Sequence, residues 1–99
     1  MLHTVNKSPF DRNSLERCMR TCDKGSAILL IEDGVYGGIK GSVIEDKVKG
    51  AMKDVKIYAL EADLDSRGIK GRVIDGIQLV DYNGFVDLTV EYDKVQSWL

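Results

Sequence analysis

Residues 27–31 read AILLI, five apolar side chains without a polar interruption, and the run stops at Glu32-Asp33-Gly34. A strand with one wet face alternates apolar and polar residues. A short, continuous apolar run is instead expected of a strand covered on both faces, as in a parallel sheet held between helical layers. Parallel neighbours need crossover connections, so the rest of the chain should supply helices between further strands.

The remaining segments meet that requirement. Leu2 to Val5 is a short strand candidate, and Ser8-Pro9 ends it because proline disfavours helix in the residue before it. A helix follows: Asn13 and Glu16 have the spacing of a capping box, and Lys24-Gly25 provides a cationic end and a glycine stop. Residues 35–53 read as a weaker helical region with Ile44, Val48, Ala51 and Met52 on one face, interrupted by Gly37, Gly38, Gly41 and Gly50. Val55 to Leu60 is a third strand, Glu61 to Arg67 a short helix closed by Gly68, and Ile77 to Val80 a fourth strand. Asn83 to Glu91 is the final helix, with Phe85, Leu88, Thr89 and Tyr92 as its inner stripe. The last residues, VQSWL, are apolar enough to dock on something. This alternation predicts a mostly parallel sheet with helices on both faces, in which sites form beyond the carboxyl ends of the strands. Those ends are residues 6–13, 32–38, 60–65 and 81–84.

The 99 residues, 43% hydrophobic and 30% charged, suit one α/β domain spanning 1–99, with no linker or repeat. Fourteen Lys and Arg against sixteen Asp and Glu leave a net charge of -2, which argues against direct nucleic-acid binding. The opening MLHTVNKSPF shows no secretory pattern and no apolar run approaches a membrane span, so the expected location is cytoplasmic, away from membranes, with thiols reduced.

Two cysteines, Cys18 and Cys22, carry whatever sulfur chemistry the chain has. With Leu15 and Met19 they fall at i, i+3, i+4 and i+7, the stripe of a helix that faces a core, where a free cysteine packs as a small hydrophobe. A bridge between two side chains of one regular helix rarely reaches the required torsion. Zinc is excluded because two cysteines and His3, the only histidine, cannot complete four ligands; no metal and no cofactor is implied. A reactive thiol needs a helix N-terminus or a close cation. Neither cysteine is in the first turn, although Arg17, Arg20 and Lys24 are near in sequence.

Other residues add edges rather than chemistry. His3 could face a site or a subunit contact, but no base-and-nucleophile pair accompanies it. Asp33-Gly34 could meet a ligand at the sheet's carboxyl end, or simply form a turn. The glycines of GVYGGIKG have no phosphate-binding spacing. Trp98 is either docked in its own domain or anchors a partner.

Taken in order, LHTVNKSPF, LLIEDGVYGG, IYALEADLDSRG, DYNGFVDLT and VQSWL resemble the DsrH/TusB family, the small subunit of a sulfur-relay complex, with the opening and ending nearer to DsrH. The resemblance implies a three-layer α/β/α domain with a mostly parallel sheet of four to five strands. It also implies a heterohexamer with DsrE/TusD-like and DsrF/TusC-like siblings, serving sulfur oxidation or wobble-uridine 2-thiolation of tRNA, and a DsrC/TusE-like carrier that takes the sulfur. In the family the resemblance points to, the persulfide cysteine of the DsrE/TusD sibling stands at the end of the third strand, eight residues before the glycine of an Arg-Gly pair. Here the pair is Arg67-Gly68, and eight residues earlier stands Leu60. The carrier position therefore holds no sulfur, and Glu61, Asp63 and Asp65 beside it would raise the pKa of a thiol placed there. The simpler account of those carboxylates is charge complementarity at a helix N-terminus. Cys18 aligns with a cysteine found in DsrH, so a sulfur-handling role for it stands beside the core reading, whereas Cys22 reads as core. Two functions follow: an accessory subunit without catalysis of its own, or an independent small domain that transfers sulfur through Cys18 or binds an anionic metabolite.

Overall fold

The computed structural model describes residues 1–99. Strands β1 (Leu2–Val5), β2 (Ala27–Leu30), β3 (Lys56–Leu60), β4 (Gln78–Val80) and β5 (Val95–Trp98) form one sheet in the order β4-β3-β2-β1-β5, every neighbouring pair parallel. The apolar run lies in the middle of this sheet, and all four residues of β2 are buried. Helices α1 (Ser14–Thr21), α2 (Glu45–Ala51), α3 (Glu61–Ser66) and α4 (Tyr82–Glu91) make the outer layers of a three-layer α/β/α fold. None of them is long and apolar enough to cross a membrane.

Strand order and handedness together decide which helix covers which face. From β1 to β4 each connection steps one strand in the same direction, so right-handed crossovers place α1, α2 and α3 on one face. Between β4 and β5 the chain returns across the whole sheet in the opposite direction, which sends α4 to the other face. The two apolar clusters match this division. The larger joins Val5, Ile28, Leu30, Ile57 and Ala59 of the strands to Leu15, Cys18, Val48 and Leu64 of α1, α2 and α3. In the smaller, Leu88 packs with Leu2, Ala27, Leu29 and Tyr58, and Phe85 and Tyr92 lie against it. The inner stripe read from the sequence of α4 is thus the one that docks.

Two local expectations are corrected, and a third, that the tail docks, is met. Asn13 makes no side-chain cap bond to α1; Glu16 instead reaches Lys47 of α2 at 2.6 Å. The region 35–53 is not one weak helix but a 3-10 segment, Glu32–Gly38, followed by α2. The cause is a close approach that local propensity does not reveal: a Cβ on Gly34 would overlap the Val5 carbonyl oxygen, and one on Gly37 would overlap the Leu15 side chain. The VQSWL tail is a fifth strand, with Leu2 to Val5 paired in register to Val95 to Trp98.

Candidate functional site

Three segments converge at the carboxyl ends of β1, β2 and β3. The chain leaves β2 through Glu32, which has a positive φ of 50°, uncommon for a residue with a side chain. Its backbone N–H donates to Asp63 Oδ2 of α3 at 2.7 Å, so the bend is held from across the loop. Arg67, at the end of α3, donates from Nε and Nη2 to Asp33 Oδ1 at 3.0 and 2.8 Å and from Nη1 to the Asp63 carbonyl at 3.1 Å. Its guanidinium carbon also lies 6.0 Å from the Tyr36 ring centroid, within cation–π range. Asp33 and Arg67, named separately from the sequence, are therefore partners. Their network locks the segment after β2 onto the segment after β3.

Leu60 closes β3 immediately before this network and is 3% exposed. The acidic residues after it are not free charges: Lys70 sits 3.1 Å from Glu61 and 3.9 Å from Asp65, while Asp63 has the Glu32 N–H and Arg67. Lys70 is held above its ordinary pKa, first by the hydrogen bond to Glu61 and then by the charge of Asp65. Helix-terminus complementarity explains part of this placement; the tie from Asp63 to the Glu32 backbone is additional and structural. Tyr36 is not singled out by the sequence, and Asp63 is read there only as one of three carboxylates at a helix N-terminus, although Asp63-x-x-x-Arg67 has i,i+4 spacing on a helix.

A cleft of about 270 Å³ opens beside this edge, lined by Phe10, Tyr36, Ile39, Lys40, Ser42 and Arg72 among others. A larger one, about 500 Å³, lies between α1 and α2, with Glu16, Arg20, Lys47 and Asp54 on its walls. Neither contains a thiol or a histidine, and no three His, Cys, Asp or Glu side chains converge on a point where a metal could sit.

The thiols lie elsewhere. Cys18 has 0% exposure inside the larger apolar cluster, and burial, with Cys22 beside it, pushes its pKa up to about 12. Cys22 is half-buried and its pKa is also raised, chiefly by desolvation. It borders a cavity of about 310 Å³ with His3, Asp23, Ser26, Gln96 and Trp98. Because α1 runs back between β1 and β2, Cys22 comes near their amino ends, opposite Leu60. His3 and Trp98 meet on this side: the Trp98 indole N–H donates to His3 Nδ1 at 3.0 Å, so Trp98 is docked within its own chain. Burial lowers the His3 pKa, with a smaller contribution from the N-terminal ammonium.

Comparison with known proteins agrees with this architecture. Solved structures share the fold at low identity: the ychN protein from E. coli (TM-score 0.80, 20% identity, covering 98% of this chain and 97% of that one) and MTH1491 from Methanobacterium thermoautotrophicum (0.76, 14%, 97% and 96%). Sequence relatives are nearer. TusB of Escherichia coli SMS-3-5 is 36% identical over 99% of this chain and 100% of its own length, and TusB of Pectobacterium parmentieri is 35% identical over the same shares. A family model described as DsrH like protein matches residues 7–95. With a sheet of this order, a family match over nearly the whole chain and full-length TusB relatives, the chain belongs to the DsrH/TusB family and serves as an accessory subunit of a sulfur-relay sulfurtransferase system.

Proposed function

We propose that this chain stands in a multi-subunit relay beside DsrE/TusD-like and DsrF/TusC-like siblings, carries no sulfur itself, and reaches a DsrC/TusE-like carrier only through them. The observation that supports this is the end of β3. A persulfide there needs a cysteine with a path to solvent and a stabilised anion. This chain has a buried leucine followed by Glu61 and Asp63. Of its two thiols, the one matched by DsrH, Cys18, is sealed in the core in its protonated form. The pathway served is sulfur oxidation or tRNA 2-thiolation, and both use the same relay chemistry.

Co-expression with both siblings tests the reading. The expected result is a complex with equal numbers of the three chains. After exposure to a persulfide donor, mass spectrometry should find added sulfur on the DsrE/TusD-like sibling and none on this chain. A chain that remains monomeric beside its siblings, or one that takes up sulfur at Cys18 within the complex, would overturn it.

A further inference from the structure

Helix α4 is alone on its face of the sheet, and its outward side is not built for water. Tyr82, Val86 and Val90 recur at i, i+4 and i+8 and form one row along the helix, exposed by 64%, 58% and 76%. Valine is a poor helix former, and an exposed helical position that served only solvation would favour Ala, Lys or Glu. Beside this row runs a second, also exposed, of Asn83, Asp87 and Glu91. Asp81 and Asp93 flank the helix, no Lys or Arg lies between Tyr82 and Glu91, and the nearest cation in sequence is Lys94, beyond the helix end. On α1, α2 and α3 the carboxylates Glu16, Glu45, Glu61, Asp63 and Asp65 are engaged in ion pairs with Lys47, Lys49, Lys70 and Arg67, and Asp46 alone has none. Asp87 and Glu91 make no such pair: the cations of the molecule's ion pairs all lie outside α4 and face other carboxylates.

We propose that these two rows are a docking surface for a protein partner presenting apolar side chains bordered by Lys or Arg. The charge distribution selects that occupant. A two-fold pairing of this helix with a second copy would bring the same patch to both sides, so each copy would add carboxylates and neither a cation. Like charges across an interface penalise association, whereas a cationic border would compensate Asp87 and Glu91 and let the valine row be buried. Within the relay assembly proposed above, on which this identification of the partner rests, the occupant is a sibling subunit.

The test uses the co-expressed three-chain complex. Val86→Lys and Val90→Lys place a cation against a cationic border and remove apolar contact; each is expected to weaken assembly at least about tenfold. Asp87→Asn with Glu91→Gln should weaken it less and flatten its dependence on salt. Val43→Lys, at a valine 89% exposed in the loop before α2, is the control and should assemble like the wild type. If a lysine variant does not fold alone, Val86→Ser with Val90→Ser replaces it, with a several-fold loss expected. A wild-type chain that binds no sibling overturns both the relay reading and this inference. A complex formed equally by the wild type and the α4 variants, or disrupted as strongly by Val43→Lys, overturns this inference alone. So does an isolated chain that sediments as a dimer dissociated by Val86→Lys, which would give the face to a second copy.

Discussion

Trp98 of β5 donates its indole N–H to Nδ1 of His3 in the neighbouring strand β1, at 3.0 Å and with the rings tilted by 46°. The bond requires a neutral His3, because a protonated imidazole has no acceptor to offer.

Stability should therefore depend on pH through His3. Its folded pKa lies below the ordinary 6.5, so between the two values the unfolded chain binds more protons and stability rises with pH. This contribution is complete above pH 6.5 and is lost as pH falls through the folded pKa. Glu16 and Glu45, held below the ordinary 4.5 chiefly by hydrogen bonds to Lys47 and Lys49, act in a more acidic window. Thermal unfolding followed by Trp98 fluorescence should show a falling midpoint from about pH 7 to about pH 5, and His3→Gln should flatten that slope. An unchanged slope in the variant would remove His3 as its source.

The two thiols should separate cleanly by reactivity. In the native chain iodoacetamide should label Cys22 slowly and Cys18 only after unfolding, since Cys18 is sealed and its thiolate strongly disfavoured. Cys18→Ala should cost roughly 1–2 kcal/mol through a small cavity and leave relay by the assembled complex intact. A persulfide on Cys18, removable by reductant and absent in Cys18→Ser, would contradict the core assignment.

Leu60→Cys should not create a sulfur carrier. The introduced thiol would be buried beside Glu61 and Asp63, so its pKa should be above that of a free cysteine, and the smaller side chain should cost about 1–3 kcal/mol. Thiolate absorbance against pH is the measurement, and a depressed pKa would defeat the electrostatic argument.

Two glycines make a paired test of the connection after β2. Gly34→Ala drives a methyl group into the Val5 carbonyl and should cost roughly 3 kcal/mol. Gly50→Ala meets nothing within 4 Å and lies in α2, so it should stabilise the chain by up to about 1 kcal/mol. Chemical denaturation of both variants measures the difference.

These residues also mark where the sequence was legible. AILLI declared a doubly covered strand because the cause, burial on both faces, is written in the strand itself. The inner stripe of α4 and the burial of Leu15 and Cys18 were readable for the same reason. The Glu32–Gly38 segment was not, because its shape is set by Val5 and Asp63, which are distant in sequence. Glu16 looked like a cap but found Lys47, 31 residues away. At the candidate site, Asp33 could be named from its position after β2, and Leu60 and Arg67 through the resemblance to the family. Their mutual geometry depended on Tyr36 and on the tie from Asp63 to the Glu32 backbone, which carry no local signal; only the i,i+4 spacing of Asp63 and Arg67 does. Asp81, which caps α4 by accepting from the Gly84 N–H at 2.8 Å, was not singled out in the sequence.

The strand order has a consequence for how the molecule opens. β5 hydrogen-bonds to β1 alone, and α4 rests on a face that no other helix shares, so residues 82–98 can undock together while the ladders among β1, β2, β3 and β4 stay closed. Such a unit is a cooperative substructure with its own, smaller opening free energy. Amide exchange should then run in two tiers, with α4 and β5 losing protection together and β2 and β3 holding theirs until global unfolding. In the resting chain the least protected tier is also the one that carries the uncovered valine row.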